Sequence, residues 1–118
     1  MIADKRKSLG RTGEDRACEF LEHKGYKILE RNFRLQLGEV DIIAEKDDMI
    51  FFIEVKTRHE GDGVEFYSNK QRNRLMKVSE AYLAKKNIDK QAVVSLLSVK
   101  GDPAGEFIIE LVHEIYDG

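Results

Sequence analysis

Two apolar-rich runs flank the dipeptide Asp47-Asp48, and they set the pattern for the rest of the chain. Val40 to Lys46 reads as a strand, Asp47-Asp48 as a turn, and Met49 to Arg58 as a returning strand. A two-residue turn fixes the register: Lys46 pairs with Met49, and by extension Asp41 with Glu54 and Glu39 with Lys56. Side chains alternate between faces along a strand, so these four charged residues share one face. The opposite face carries Val40, Ile42 and Ala44 against Phe51, Ile53 and Val55, an apolar surface that must be core.

The remaining pattern yields two helices and three more strands. A helix is expected from Thr12, with Thr12 and Asp15 as an approximate capping box, to Lys24, with Gly25 as its terminator. Its inward stripe is Ala17, Cys18 and Leu21, with Phe20 alongside, and Glu14 falls on the same face. Residues 1–11, with Lys5, Arg6, Lys7 and Arg11, read as a flexible basic arm. Tyr26 to Arg34 forms a first strand, leading through Gln36-Leu37-Gly38 into the hairpin. Gly61 and Gly63 mark a loop over His59 to Val64. Ser68 and Gln71 form a capping box for a second helix to about Lys86, with Leu75, Val78 and Tyr82 inward. Ala92 to Val99 and Phe107 to Val112 are two further strands, joined by a turn over 101–105. The order is αβββαββ, a single α/β domain over residues 1–118 built on one sheet.

Composition narrows the classes. With 42% apolar and 36% charged residues, the chain is expected to fold with a heavily charged surface. No run approaches a membrane span and the polar opening residues do not read as a signal peptide, so a cytoplasmic protein without a membrane partner is expected. One cysteine, Cys18, permits no internal disulfide and fits a reducing compartment. His23, His59 and His113 show no zinc-ligand spacing. The net charge of −2 hides a split: all 20 Lys and Arg lie in residues 1–100, against 17 Asp and Glu there. The acidic tail follows, so the main body is compatible with a nucleic-acid partner without demanding one.

The facing acids carry the candidate chemistry. Two carboxylates about 5 Å apart repel by roughly 3 kcal/mol at an effective dielectric near 20. A divalent cation would offset that cost, and hard oxygen ligands suit Mg²⁺, which takes one or two carboxylates, keeps waters and bridges to phosphate. Lys56 points the same way as Glu54 and could orient a water or stabilise developing charge on phosphorus. Together these residues describe phosphodiester hydrolysis. The competing reading is an exposed charged sheet face with Lys56 pairing Glu39. Glu14 is either a dipole and solubility choice near a helix N-terminus or a third site carboxylate. Lys70, Arg74 and Lys77 form a basic stripe, read either as a solvated face or as one that tracks phosphates.

These residues resemble a known pattern. An acid on the first helix, Asp on the second strand and Glu-x-Lys on the third resemble the restriction-endonuclease-like PD-(D/E)XK superfamily. The whole chain is more closely similar to the YraN-like family of small bacterial proteins within it. The matching residues are Gly13-Glu14, Ala17, Leu21, Gly25-Tyr26, Arg31-Asn32, Gly38 to Ala44, Phe52 to Arg58, Lys70 and Ala81-Tyr82-Leu83. That resemblance implies a restriction-endonuclease-like fold like that of archaeal Holliday junction resolvases, with one central mixed sheet flanked by two helices. It implies Asp41 and Glu54 as ligands of Mg²⁺ or Mn²⁺, Lys56 as the catalytic lysine and Glu14 as an accessory acid. Arg58, Lys70 and Arg74 are candidates for contacts to the backbone of DNA, with Glu39 an additional acid of open role. The family usually has Arg-Phe-Asp where this chain has Lys90-Gln91-Ala92. A metal-dependent endonuclease on branched or damaged DNA is expected, compatible with a homodimer. A nucleic-acid-binding or assembly module with a silent site, and an RNA-processing enzyme, remain as alternatives.

Overall fold

The computed structural model describes residues 5–59, 68–101 and 107–116, with backbone alone for 5–12, 58–59, 107 and 112–116. Helix α1 spans Lys5–His23, followed by strands β1 (Lys27–Leu35), β2 (Gly38–Lys46) and β3 (Met49–His59). Helix α2 (Asn69–Lys86) then leads to β4 (Gln91–Gly101) and β5 (Phe107–Tyr116). The five strands form one sheet in sequence order. Only β3 and β4 run parallel, because α2 makes the crossover between them, and the other neighbours are antiparallel. This is the α/β, αβββαββ architecture with a mixed sheet and two helices.

The β2–β3 hairpin follows the register set by its turn. Asp47 (φ 51°) and Asp48 (φ 63°) both adopt the left-handed conformation of a type I′ turn, and Lys46 pairs with Met49. Helix α1 ends where Gly25 (φ 93°) allows a Schellman motif: Tyr26 N–H donates to Leu21 O at 2.9 Å and Gly25 N–H to Glu22 O at 3.0 Å. Ser68 caps α2 with Gln71 in a full capping box, and Asn87 (φ 53°) closes it.

Helix α1 already includes Lys5 and does not begin at Thr12, so the expected arm is helical from residue 5 and Thr12 is not the cap. Leu9, Arg11 and the lysines are adequate helix formers, and two interior glycines do not break the run. The expected loop after His59, the turn at 101–105 and the side chain of Arg58 fall outside the described residues.

The helices cover opposite faces of the sheet. Ala17, Cys18 and Leu21 of α1 pack with Ile42, Ala44, Phe51, Ile53, Val93 and Leu97. Leu75, Val78 and Tyr82 of α2 pack with Val40, Ile43, Ile50, Phe52 and Val94. The central strands are therefore apolar on both sides, as in sheets with helices on each face. Val40 corrects the one-face reading, since it lies in the α2 core while Ile42 lies in the α1 core. The alternation resets between them, at Asp41. The altered Lys90-Gln91 start of β4 also has a structural role: Lys90 bonds Glu45 and lies 3.3 Å from Asp48, tying this corner to the hairpin turn.

Candidate functional site

Asp41 marks the point where the sheet splits. The β2–β3 ladder runs from Lys46–Met49 to Ile42–Ile53 and stops. Beyond it, β2 continues against β1 through Val40–Phe33, Glu39–Arg34 and Gly38–Leu35. Strand β3 continues beside β4 through Glu54–Leu96 and Lys56–Ser98. Asp41–Glu54 and Glu39–Lys56 are therefore not ladder pairs, which corrects the extended register. In that register Val55 N–H would next have met the Val40 carbonyl. The Asp41 carboxylate takes it instead, with Oδ2 accepting at 2.7 Å. One side chain thus ends the ladder and opens a cleft between the strands.

That cleft has a volume of about 410 Å³ and is lined by Arg34, Leu35, Gly38, Glu39, Asp41, Glu54, Gln71, Arg74 and Leu75. Asp41 and Glu54 therefore share one site although they are not cross-strand partners. Burial pushes the Asp41 carboxyl up to about 6, against the opposing pull of the Val55 hydrogen bond. The carboxylates of Glu14, Glu54 and Glu39 raise it further. Lys56 Nζ lies 3.4 Å from Glu54 Oε1, with both side chains about three-quarters covered. The Lys56–Glu39 pairing of the competing reading is not formed; Glu39 instead accepts from Arg34 at 3.3 Å. The opening of the hairpin accounts for the change, because it removes Glu39 from opposite Lys56.

Glu14 of α1 does not line the cleft, but its charge acts on Asp41. Its Oε2 accepts from Arg31 and from Asn32, each at 3.4 Å, and Arg31 also meets Asp15 at 2.9 Å. Asn32 adopts φ 54°, a conformation asparagine tolerates better than most residues. Arg31 and Asn32 thus anchor the third acid, a role the strand pattern around them does not announce. Arg34 is legible in hindsight, because Gln36-Leu37 is another two-residue connection and places Arg34 opposite Glu39. Gln71 carries only its capping signature in the sequence. Lys70 is exposed on α2 and does not line the cleft, whereas Arg74 does.

Gly13 sets how closely α1 approaches β3. A Cβ there would fall 2.5 Å from Thr57 Oγ1, so something must shift. Gly13→Ala is expected to lower stability by about 1–2 kcal/mol, because overpacking outweighs the roughly 1 kcal/mol gain in helix propensity. Thr57→Ala in the same chain should restore stability in a denaturant titration. Failure of that rescue would show that the close approach is not the reason for the glycine.

The donor set fits a hard divalent cation. Two carboxylates line one open cleft, and burial and like charge raise the pKa of one of them, Asp41, to about 6. Two carboxylates plus water is a common Mg²⁺ arrangement. Among the described residues no group of three or more His, Cys, Asp or Glu side chains is disposed as a full protein ligand set, so water or phosphate would complete the coordination.

The profile of the uncharacterised protein family UPF0102 matches residues 13–99, a span that holds Glu14, Asp41, Glu54, Lys56 and Arg74. A UPF0102 protein of Dictyoglomus turgidum is 40% identical over 106 residues, 86% of this chain and 90% of its own. One from Dictyoglomus thermophilum is 45% identical over 83 residues, covering 68% and 70%. One from Campylobacter lari is 42% identical over 94 residues, covering 79% and 84%. The chain belongs to the uncharacterised protein family UPF0102, the YraN-like family that its Gly-Glu-Val-Asp and Glu-Val-Lys-Thr-Arg runs resemble.

Proposed function

We propose that this protein is a Mg²⁺- or Mn²⁺-dependent endonuclease that hydrolyses phosphodiester bonds in DNA in the cytoplasm. The observation that carries the reading is the split between β2 and β3, which brings Asp41 and Glu54 into one cleft with Lys56 beside Glu54. The resemblance to the restriction-endonuclease-like superfamily supports it. No helix among the described residues is long and apolar enough to cross a membrane.

Asp41 and Glu54 would hold the cation, and when bound it would supply Lewis-acid polarisation of the phosphate and a lowered pKa for water. The chain's own residues do the remainder. The Val55 N–H fixes the Asp41 carboxylate in place. Lys56 is poised beside Glu54 to shift its ammonium toward charge developing on the phosphate oxygens. Glu14, anchored by Arg31 and Asn32, adds negative charge on the α1 side and can accept a proton from water. Arg58, Lys70 and Arg74 are proposed to contact the DNA backbone.

A nicking assay on supercoiled plasmid tests this directly. Nicking is expected with Mn²⁺ or Mg²⁺ and not with chelator or Ca²⁺. DNA binding without cleavage under any divalent ion would instead support a binding module with a silent site.

A further inference from the structure

The cleft has a second chemical side. Arg34 of β1 and Gln71 and Arg74 of α2 line it together with the acids. Arg74 does not wave freely there. A Cβ at Gly38 would fall 2.9 Å from both Cγ and Cδ of Arg74, so the arginine stem lies against the β1–β2 hairpin where only glycine leaves space. Gln71 is also fixed. Its Oε1 accepts the Ser68 N–H at 2.8 Å within the capping box, which leaves the amide NH₂ as the group it can offer the cleft. Among the described residues Arg34 pairs with Glu39 at 3.3 Å, an exposed and weak kind of contact that a stronger anion can displace. Two arginines and a glutamine therefore line the same cleft as the acid pair. Planar guanidinium forks match phosphate oxygens two at a time.

We propose that Arg34, Gln71 and Arg74 form a phosphate subsite that holds one internal phosphodiester of a DNA strand, adjacent to the linkage carried at Asp41 and Glu54. This rests on the nuclease reading and deepens it. A strand laid along the cleft would place one phosphate at the acids and another at the donors, so the α2 side sets which linkage is aligned. Glu39 then has a definite role: it holds Arg34 at the cleft and releases it to the strand.

The test uses the full chain and short synthetic DNA, single-stranded and duplex, in which one linkage at a time is a neutral methylphosphonate. Binding is read by fluorescence anisotropy in Ca²⁺. Neutralising the subsite linkage should weaken wild-type binding about tenfold, the scale of one charge-assisted contact. The same linkage should cost Arg74→Gln clearly less, because only Arg34 and Gln71 remain to feel its charge. Gly38→Ala keeps every charge but displaces the Arg74 stem, and it should show the same loss; should that variant fail to fold, the Arg74→Gln comparison decides alone. Equal penalties in wild type and Arg74→Gln at every linkage, with the intact strand still bound, would overturn the subsite and leave the nuclease reading standing. An Arg74 dependence confined to strands with a 5′-terminal phosphate would overturn the internal assignment. A wild type that binds none of the DNA would overturn both.

Discussion

Lys56→Met is expected to abolish phosphodiester cleavage while leaving divalent-cation binding intact. A protonated lysine cannot be a ligand, so its contribution is confined to charge that develops on the phosphate. Removing one preorganised donor of that kind typically lowers the rate by about 10²–10³. Methionine keeps most of the stem, so the packing along β3 should persist. The 3.4 Å contact between Lys56 and Glu54 adds a second expectation. In the metal-free protein the ammonium competes with a cation for that carboxylate, so Lys56→Met should bind Mn²⁺ as tightly as the wild type or more so. Cleavage at saturating Mn²⁺ and a calorimetric titration separate the two effects. Wild-type cleavage by the variant would remove Lys56 from the mechanism. Loss of cation binding along with cleavage would recast it as a support for Glu54.

The sequence made the hairpin readable because its turn is rigidly coded. Asp47 and Asp48 both tolerate positive φ, a two-residue turn permits one register, and that register holds as far as Ile42–Ile53. Gly25 and Ser68 are legible for the same reason: each satisfies backbone groups at a helix end in a way few residues can. The split of the sheet was not legible. It depends on Val55 N–H choosing a side-chain carboxylate over a backbone carbonyl, a competition that alternation does not encode. The second core was equally hidden, because Ile43, Ile50 and Phe52 alternate with apolar neighbours and a one-faced reading cannot place both sets. The anchoring of Glu14 by Arg31 and Asn32 joins residues 17 and 18 positions apart across two elements, and only the packing of α1 on β1 reveals it. Asp41 and Glu54 stood out in the sequence as charges inside apolar strands, and both line the cleft.

Asp41→Asn should raise the melting temperature of the metal-free protein at neutral pH and reverse that order once Mn²⁺ is added. The carboxyl has a pKa raised from 3.8 to about 6, first by burial and then by the carboxylates around it. Between those values the native state holds a proton that the unfolded chain has lost. Wild-type stability must therefore fall as pH rises from about 4 to about 6, and stay level with respect to this group above that window. Asparagine is neutral throughout and keeps an oxygen to accept the Val55 N–H. The advantage of the variant should be absent near pH 4, grow toward pH 6 and then plateau. A shift of this size corresponds to at most about 3 kcal/mol, and the open cleft should reduce it to about 1 kcal/mol. Glu54→Gln should gain less, because it also removes the partner of Lys56. Cation binding works in the opposite direction. At a hundredfold excess over Kd it stabilises the wild type by about 2.7 kcal/mol, and the variant, lacking a charged ligand, receives little of this. The crossing of the two melting curves between chelator and Mn²⁺ is the signature of a carboxylate kept for a cation. If Asp41→Asn instead melts lower in chelator at pH 7.5, the hydrogen bond to Val55 outweighs the burial and repulsion, and Asp41 is a structural acid that ends a β-ladder.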